Sequence, residues 1–245
     1  MSRRRADVLL VERGLFESRA KAQEAITAGL VSADGAPVAK ASDHLSVEAA
    51  IIAEAPHPWV SRAGVKLAAA LDAFAIDPHG RVCLDLGAST GGFTDVLLAR
   101  GAAKVYAVDV GHGQLHPRLA GDLRVTSLEG TDARRLSRDA VPDPIEVLVA
   151  DVSFISLKLV LPPALPLLAP DAALVALIKP QFEAGPRLVK KGVVRDEAVH
   201  RTVCDEIGAF VTALGFTILG LIPSPILGGE GNREFLIGAK RAERA

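Results

Sequence analysis

The stretch Cys83-Leu-Asp-Leu-Gly-Ala-Ser-Thr-Gly-Gly-Phe93 decides the fold of this chain. It leaves an apolar strand, turns at glycines and enters a helix, which is how a doubly wound α/β domain begins. Gly87, Gly91 and Gly92 lack a Cβ, so the backbone can turn tightly there and approach a ligand closely. N–H groups at the start of the following helix point toward such a ligand. The stretch therefore predicts a ligand site at this turn.

Apolar strands and helical patterns alternate around the turn. Helix-period spacing occurs at Leu67, Leu71 and Phe74, and again from Val199 to Leu214. This alternation predicts a Rossmann-like α/β domain with a seven-stranded, mostly parallel sheet and helices on both faces. The predicted strands are Val82–Leu86, Val105–Val108, Arg124–Ser127, Val147–Ala150, Leu174–Ile178, Phe216–Ile222 and Phe235–Gly238.

The first 55 residues predict a separate, small α+β domain. One helix has Asp7 as a candidate N-cap, and a second begins at Ser18 and stops at Gly29. Asp34-Gly35 is a hairpin turn signal between two short strands. The proline-containing residues 56–61 form a linker, and residues 62–245 form the α/β domain.

Composition indicates an ordinary globular protein. Of the 245 residues 49% are hydrophobic and 23% are charged, and the formal net charge is −1, so neither disorder nor a globally basic binder is indicated. No apolar run approaches the ~20 residues that a membrane helix needs. Cys83 and Cys204 have no neighbouring cysteine, so we expect no disulfide framework and no metal site. Together with an N-terminus unlike a secretory signal, this predicts a cytoplasmic protein.

The glycine spacing and two carboxylates indicate the cofactor. Asp109 ends the second predicted strand, where a carboxylate binds ribose hydroxyls. The pattern Gly-x-x-x-Gly-Gly differs from the Gly-x-Gly-x-x-Gly of dinucleotide sites. Asp85 would repel a pyrophosphate but can hold the cationic amino-acid end of S-adenosylmethionine, so we favour this methyl donor over a dinucleotide. Asp132 follows the third strand and is either an adenine contact or a solvated loop residue.

Asp151 and Lys179 each follow the end of a predicted core strand, so both should reach the same crevice. The full set of predicted cofactor contacts is Asp85, Gly87, Ala88, Ser89, Thr90, Gly91, Gly92, Phe93, Asp109, Val110, Asp132 and Asp151.

Several ordered motifs resemble the TlyA family, whose members were named as hemolysins and act as ribosomal RNA 2′-O-methyltransferases. The catalytic domain of that family is similar to FtsJ-type RNA methyltransferases. The motifs are Trp59-Val-Ser-Arg-Ala-Gly-Val-Lys-Leu67, Leu84-Asp-Leu-Gly-Ala-Ser-Thr-Gly-Gly-Phe-Thr-Asp95, Asp151-Val-Ser-Phe-Ile155, Leu177-Ile-Lys-Pro-Gln-Phe-Glu183 and Gly231-Asn-Arg-Glu-Phe-Leu236.

The resemblance implies a catalytic Lys-Asp-Lys-Glu tetrad at Lys66, Asp151, Lys179 and Glu234. A ribose hydroxyl must lose its proton to attack, so we assign Lys179 as general base, Asp151 and Glu234 as orienting groups, and Lys66 as a substrate-positioning cation. Asp132 stands where the family often has asparagine, and Ala63 replaces a glycine, but neither departure touches the tetrad.

The N-terminal residues resemble the RNA-binding domain named after ribosomal protein S4, through Arg5-Ala-Asp-Val-Leu-Leu and Ser18-Arg-Ala-Lys. Six of the first 21 residues are basic against three acidic, and such a local excess can contact phosphates. The candidate RNA-binding residues are Arg3, Arg4, Arg5, Arg19, Lys21, Arg62, Lys190 and Lys191.

The resemblance thus implies methylation of ribosomal RNA, free or in ribosomal subunits, at a cytidine. Three alternatives stay open: a membrane-active, hemolysin-like protein, an RNA-binding ribosome assembly factor without catalysis, and a nicotinamide oxidoreductase. The sequence leaves the oligomeric state and the target subunit undetermined.

Overall fold

The computed structural model describes residues 2–242. The chain divides into two compact units between Pro58 and Trp59, a point that lies within the predicted linker 56–61.

The first unit contains two helices and two small antiparallel sheets. The predicted helices and the Asp34-Gly35 hairpin are present, whereas the outer strand pairing was not predicted. Ser18 caps the second helix as predicted, since its Oγ accepts a hydrogen bond from the backbone N of Lys21. The elements are β1 (Arg3–Arg5), α1 (Ala6–Glu12), α2 (Arg19–Thr27), β2 (Val31–Ala33), β3 (Ala36–Pro37), β4 (His44–Ser46) and β5 (Ile51–Ala53). Strand β1 pairs with β4, and β2 pairs with both β3 and β5.

The prediction that Asp7 caps the first helix was wrong. Helix α1 begins after Arg5, and Asp7 lies inside the first turn with no exposed surface. Its carboxylate accepts hydrogen bonds from Arg5, Arg19 and Gln23, which hold the pKa of Asp7 well below its usual range. A carboxylate so engaged is not available to cap the helix.

The second unit has the predicted seven-stranded sheet. Its strands are β6 (Val82–Leu86), β7 (Lys104–Asp109), β8 (Val125–Glu129), β9 (Ile145–Ala150), β10 (Leu168–Ile178), β11 (Phe216–Pro223) and β12 (Phe235–Arg241). They lie in the order β11-β12-β10-β9-β6-β7-β8. Five of them, from β10 to β8, run parallel, and β12 is antiparallel to both of its neighbours.

Helices cover both faces of the sheet, and each face has its own apolar core. They are α3 (Ala63–Phe74), α4 (Gly92–Ala99), α5 (Pro117–Ala120), α6 (Leu157–Ala164), α7 (Pro180–Glu183) and α8 (Glu197–Ala213). The chain order reverses between β6 and β9, so the carboxyl ends of these two strands open a crevice, as ligand sites in this fold class require.

Candidate active site

The glycine turn brings the end of β6 against the end of β9. Gly87 has φ +82°, a conformation that favours glycine. A Cβ on Gly87 would lie 2.5 Å from the backbone oxygen of Asp151, so only glycine fits at this crossing. The close approach at Gly87 therefore places Asp151 next to the glycine turn, where the ligand site was predicted.

A cavity of about 480 Å³ opens at this point. Its walls combine backbone of the glycine turn, apolar side chains and carboxylates, a mixture typical of a nucleoside site. The lining residues include the predicted Gly87, Ser89, Asp109, Val110, Asp132 and Asp151, together with Val108, Gly111, Gln114, Thr131, Val152, Ser153, Phe154 and Ile155.

Two backbone N–H groups hold the carboxylate of Asp109, the residue predicted to bind ribose hydroxyls, in a fixed orientation. Its Oδ2 accepts from the backbone N of Ser89 at 2.8 Å, and its Oδ1 accepts from the backbone N of Gly111 at 2.8 Å. Each carboxylate oxygen retains a second lone pair, so Asp109 can still accept from two ribose hydroxyls.

Asp132 lines the cavity but is engaged by a neighbour. Its carboxylate forms an ion pair with Arg134 at 2.7 Å and caps the short 3₁₀ helix Ala133–Arg135. The Arg134 guanidinium lowers the pKa of Asp132 to about 2. Asp132 is thus charged at neutral pH, and a contact from this carboxylate to adenine stays a prediction.

Asp85 lies beneath the cavity rather than in its wall. It is fully buried, and its Oδ2 accepts from the hydroxyl of Thr94 at 2.7 Å, whereas its Oδ1 has no hydrogen-bond partner among residues 2–242. Burial raises the pKa of Asp85 to about 7, with smaller contributions from Asp151 and Asp109. A buried carboxylate with an unpartnered oxygen is a suitable neighbour for a cationic ligand group.

The remaining predicted cofactor residues do not line the cavity: Ala88, Thr90, Gly91, Gly92 and Phe93. Phe93 packs into the core, and the glycines pack closely against Leu119 and Ser61. The structure gives these residues a part in shaping the turn, and direct cofactor contact from them stays a prediction.

A second cavity of about 460 Å³ adjoins the first and shares Ser153 and Phe154 with it. It is lined by Lys179, Gln181, Phe182, Val189, Gly192, Gly229, Glu230, Asn232 and Glu234. Lys179 Nζ lies 2.6 Å from Oδ1 of Asp151 and donates to the Oγ of Ser153 at 2.8 Å. The predicted pair from two strand ends is therefore in contact.

The other two tetrad residues form a second ion pair. Lys66 Nζ lies 2.5 Å from Oε2 of Glu234, and both side chains are buried. Glu234 lines the second cavity, while Lys66, from helix α3, lies behind it and lines neither cavity. The four predicted residues thus form two lysine–carboxylate pairs, with three of the four facing the cavities.

Sequence reasoning missed Ser153 and Phe154. Phe154 follows β9 with φ +63°, unusual for an aromatic residue, and 91% of it is exposed. Its ring lies 5.0 Å from that of Phe182. The signal available was an aromatic three residues after Asp151, but its exposure could not be predicted because aromatic residues more often pack inside.

Glu183 connects the segment after β9 to the segment after β10 through hydrogen bonds. Its carboxylate accepts from the hydroxyl of Ser156 and from the backbone N of Leu157, so α7 is bound to the start of α6. Burial raises the pKa of Glu183. This connection fixes the segment carrying Ser153 relative to the segment carrying Lys179.

All the candidate RNA-binding residues except the half-buried Lys21 are exposed, but several are engaged within the chain. Arg5 and Arg19 pair with Asp7, Arg4 with Glu12, and Lys21 with Glu17. Arg3 donates to the backbone oxygen of His44, and Arg62 precedes α3. Lys190 and Lys191 are exposed beside the second cavity. RNA contact by these residues stays a prediction.

The FtsJ-like methyltransferase family matches residues 59–241, and the S4 domain matches residues 4–51. A 16S/23S rRNA (cytidine-2′-O)-methyltransferase TlyA of Mycobacterium tuberculosis is 46% identical over 97% of this chain and 90% of its own length. Hemolysin A of Brachyspira hyodysenteriae is 41% identical over 95% of this chain and 98% of its own length.

A solved structure of a hemolysin-named protein from Streptococcus thermophilus is also similar. It has a TM-score of 0.78 and 40% identity, and covers 99% of this chain and 90% of its own. Among residues 2–242, no helix of this chain is both long and apolar enough to span a membrane.

Proposed function

Because this chain belongs to the TlyA family of FtsJ-like methyltransferases, we propose that it transfers the methyl group of S-adenosylmethionine to a ribose 2′-hydroxyl of ribosomal RNA. The observation that carries the proposal is the Lys179–Asp151 ion pair. Asp151 lines the first cavity and Lys179 lines the second, so the pair stands where a donor in one would meet an acceptor in the other.

The residues of the first cavity fit S-adenosylmethionine. Asp109 would accept the ribose hydroxyls, and Val108, Val110 and Ile155 offer apolar surface to the adenine. Asp85, whose Oδ1 is unpartnered, is suited to the cationic amino-acid end, directly or through water. When bound, this cofactor supplies an electrophilic methyl group on a sulfonium, so its chemistry needs no metal ion.

The second cavity is suited to a ribose and its base. Lys179 in its neutral form would accept the proton of the 2′-hydroxyl, while Asp151 and Ser153 hold its Nζ in place. Glu234, which lines the same cavity, would orient the substrate. Lys66 lies behind Glu234, so we revise its role from contacting the substrate to holding that carboxylate.

The substrate class follows from the relatives and from the S4 domain. A TlyA relative is named for a cytidine of 16S and 23S ribosomal RNA, and we propose the same class of target here, free or in ribosomal subunits. The exposed Phe154 ring at the shared wall offers a face on which a base can stack. We propose that the reaction takes place in the cytoplasm, where ribosomal subunits are found.

The test measures transfer of labelled methyl groups into small subunits, large subunits and the free ribosomal RNAs. The wild type should label at least one of them, and digestion to nucleosides should locate the label on a 2′-O-methylcytidine. Label on a base, or no label in any of the four substrates, would contradict the proposal. A parallel titration with NAD, which should not bind, separates this proposal from the oxidoreductase alternative.

The hemolysin names of two relatives favour membrane lysis as a second candidate. It is tested with purified protein on erythrocytes and on vesicles that contain a trapped dye. If both the wild type and Lys179→Ala release the dye equally at micromolar concentration, lysis is an independent activity. Absence of release from the wild type removes the candidate.

A further inference from the structure

A short lysine turn, Lys190–Val193, stands in the wall of the second cavity. The backbone N of Lys190 donates to the oxygen of Val193 at 3.0 Å, and the reverse bond is 3.1 Å long. Lys191 and Gly192 at its corner have φ of +52° and +77°, as a type I′ turn requires. Lys190 and Lys191 are exposed, while Gly192 lines the cavity. The turn thus presents two adjacent cations at the mouth of this cavity.

Asn232 holds the lysine turn from the cavity side. It is 4% exposed, and its Nδ2 donates to the oxygens of Gly192 at 2.9 Å and Gly229 at 3.1 Å. Its Oδ1 accepts from the backbone N of Val194 at 3.2 Å. Only a primary amide supplies two donors and an acceptor in this arrangement, since a carboxylate has no donor. Asn232 is the only asparagine in the chain.

Asn232 also lies in the segment that carries Glu234, directly before β12. The backbone oxygen of Asn232 accepts from the N of Gly228 at 2.9 Å, and its N donates to the oxygen of Gly229 at 3.1 Å. Gly228 packs so closely that a Cβ there would lie 2.1 Å from Oε1 of Glu234. Asn232 therefore joins the lysine turn to the segment that positions the Glu234 carboxylate.

Helix α8 anchors the far end of the turn. The Nε2 of His200 lies 3.0 Å from the backbone oxygen of Val194, and the His200 ring is 3% exposed. Because that oxygen is an acceptor, Nε2 carries the proton in this contact. The segment after the turn is thus held on two sides, and the part free to meet a ligand is the exposed face with Lys190 and Lys191.

We propose that Asn232 is a positioning residue that sets the lysine turn at the mouth of the second cavity, where Lys190 and Lys191 contact RNA phosphates beside the methylated nucleotide. The inference rests on the proposed function, because it takes RNA as the occupant of that cavity. Phosphate contacts of this kind fix the register of a nucleic acid without reading its sequence. Asn232 would act through the turn and not on the reacting atoms.

The first experiment needs no RNA and tests the link from Asn232 to the turn. Asn232→Asp keeps the size of the side chain but faces two carbonyl oxygens without donors, so trypsin cleavage after residues 187–195 should accelerate about tenfold. The matched control is Gln181→Glu, because Gln181 lines the same cavity and its Oε1 accepts no hydrogen bond from the part of the chain that the structure describes. That variant adds the same charge and should leave cleavage slow. Equal cleavage rates in the two variants would overturn the proposal.

The second experiment measures binding of ribosomal RNA by filter retention at several salt concentrations. Replacing Lys190 and Lys191 together by alanine should reduce the slope of log affinity against log salt by about 1.4 to 1.8, as for two lost phosphate contacts. In the Asn232→Asp background the same double replacement should reduce the slope by less than half as much, because the lysines no longer sit beside the RNA. Gln181→Glu alters the cavity itself and so changes the affinity for RNA, but in this background the double lysine replacement should still reduce the slope by the full amount.

A full lysine effect in the Asn232→Asp background, or none in the wild type, would overturn the proposal. The proposed function fails by a different result: the wild-type protein binds RNA but transfers no methyl group to it. If Asn232→Asp loses its cooperative melting transition, Gly192→Ala replaces it. Gly192 has positive φ, and a Cβ there would lie 2.8 Å from Oε2 of Glu230, so this change disturbs the corner of the turn without altering Asn232 and should give the same two results.

Discussion

Lys179 and Asp151 meet at the boundary between the two cavities, with Nζ 2.6 Å from Oδ1. They follow β10 and β9, which are parallel neighbours, so the sheet itself sets their separation. Ser153 accepts a further hydrogen bond from the same Nζ. An ammonium or amine held by two partners has little freedom to move, and this fixes where a proton can be exchanged.

Lys179→Ala should slow methyl transfer strongly while leaving cofactor binding intact. General base catalysis contributes about 10²- to 10⁴-fold, so kcat should fall by that range. Calorimetric titration with S-adenosylmethionine should give a Kd within about twofold of the wild type, because Lys179 lines the second cavity and not the first.

The control for this variant is Lys158→Ala. Lys158 forms a partly exposed ion pair with Glu206 at 2.8 Å and lines neither cavity, so its loss should change kcat by less than twofold. If Lys179→Ala retains transfer close to the wild-type rate, Lys179 is not the base.

Variants of the buried Lys66–Glu234 pair should affect stability and catalysis differently. Removing one partner of a buried pair costs about 3–5 kcal/mol, because the other charge is left unpaired. We therefore expect urea denaturation to show such a loss for Lys66→Met. The double variant Lys66→Met with Glu234→Gln should regain much of that stability, while methyl transfer stays low because the Glu234 carboxylate is gone.

The opposite pattern would be equally informative. If the double variant is as unstable as Lys66→Met, the two side chains are not coupled as the 2.5 Å contact implies. If it regains full activity, Glu234 does not act on the substrate.

The central strands could be predicted from sequence because they contain short apolar runs. Three of these runs, Val105–Val108, Val147–Ala150 and Leu174–Ile178, are followed at once by a charged residue. Val82–Leu86 matches β6 at both ends, and the glycine turn after it matches as well. Strand β10 was predicted from Leu174 but begins at Leu168, since Pro170 and Asp171 interrupt the apolar pattern that marks a strand. Local composition thus predicts the central parts of elements better than their ends.

The pairing within the tetrad could not be predicted in the same way. The sequence places Lys66 and Glu234 168 positions apart, and only the packing of α3 beside β12 brings them into contact. The side-chain hydrogen bonds of Asn232 could not be predicted either, because its partners are backbone groups of Gly192, Val194 and Gly229, which no side-chain pattern marks. The N-cap prediction for Asp7 failed because an acidic residue near the start of a helix can either cap the helix or form a buried ion pair, and the sequence does not distinguish the two.

The buried Asp85 should make stability depend on pH. Its folded pKa of about 7 exceeds the unfolded value near 3.8, so the folded state binds the proton more tightly. Stability is therefore lost as the pH rises from about 4 to about 7. Relative to Asp85→Asn, which cannot ionise, the wild type without cofactor should lose on the order of 2 kcal/mol between pH 5 and pH 8.

The matched control is Asp122→Asn. Arg124 lowers the pKa of Asp122 to about 2, so its contribution is lost only at pH values below about 4. The stability difference between this variant and the wild type should be constant between pH 5 and pH 8. A constant difference for Asp85→Asn as well would show that Asp85 is ionised throughout, with a compensating partner.

Phe154 provides the test of substrate stacking. Its ring is 91% exposed at the wall shared by the two cavities, so removing it costs little packing. Stacking on a base is worth about 1–3 kcal/mol, and Phe154→Ala should raise the KM for ribosomal RNA by roughly five- to 150-fold.

Phe154→Tyr keeps the aromatic face, and its KM should stay within about threefold of the wild-type value. Leu227→Ala, which also removes an exposed apolar side chain, should leave the KM unchanged. An equal rise for alanine and tyrosine at position 154 would assign the effect to the backbone at φ +63° instead of to the ring.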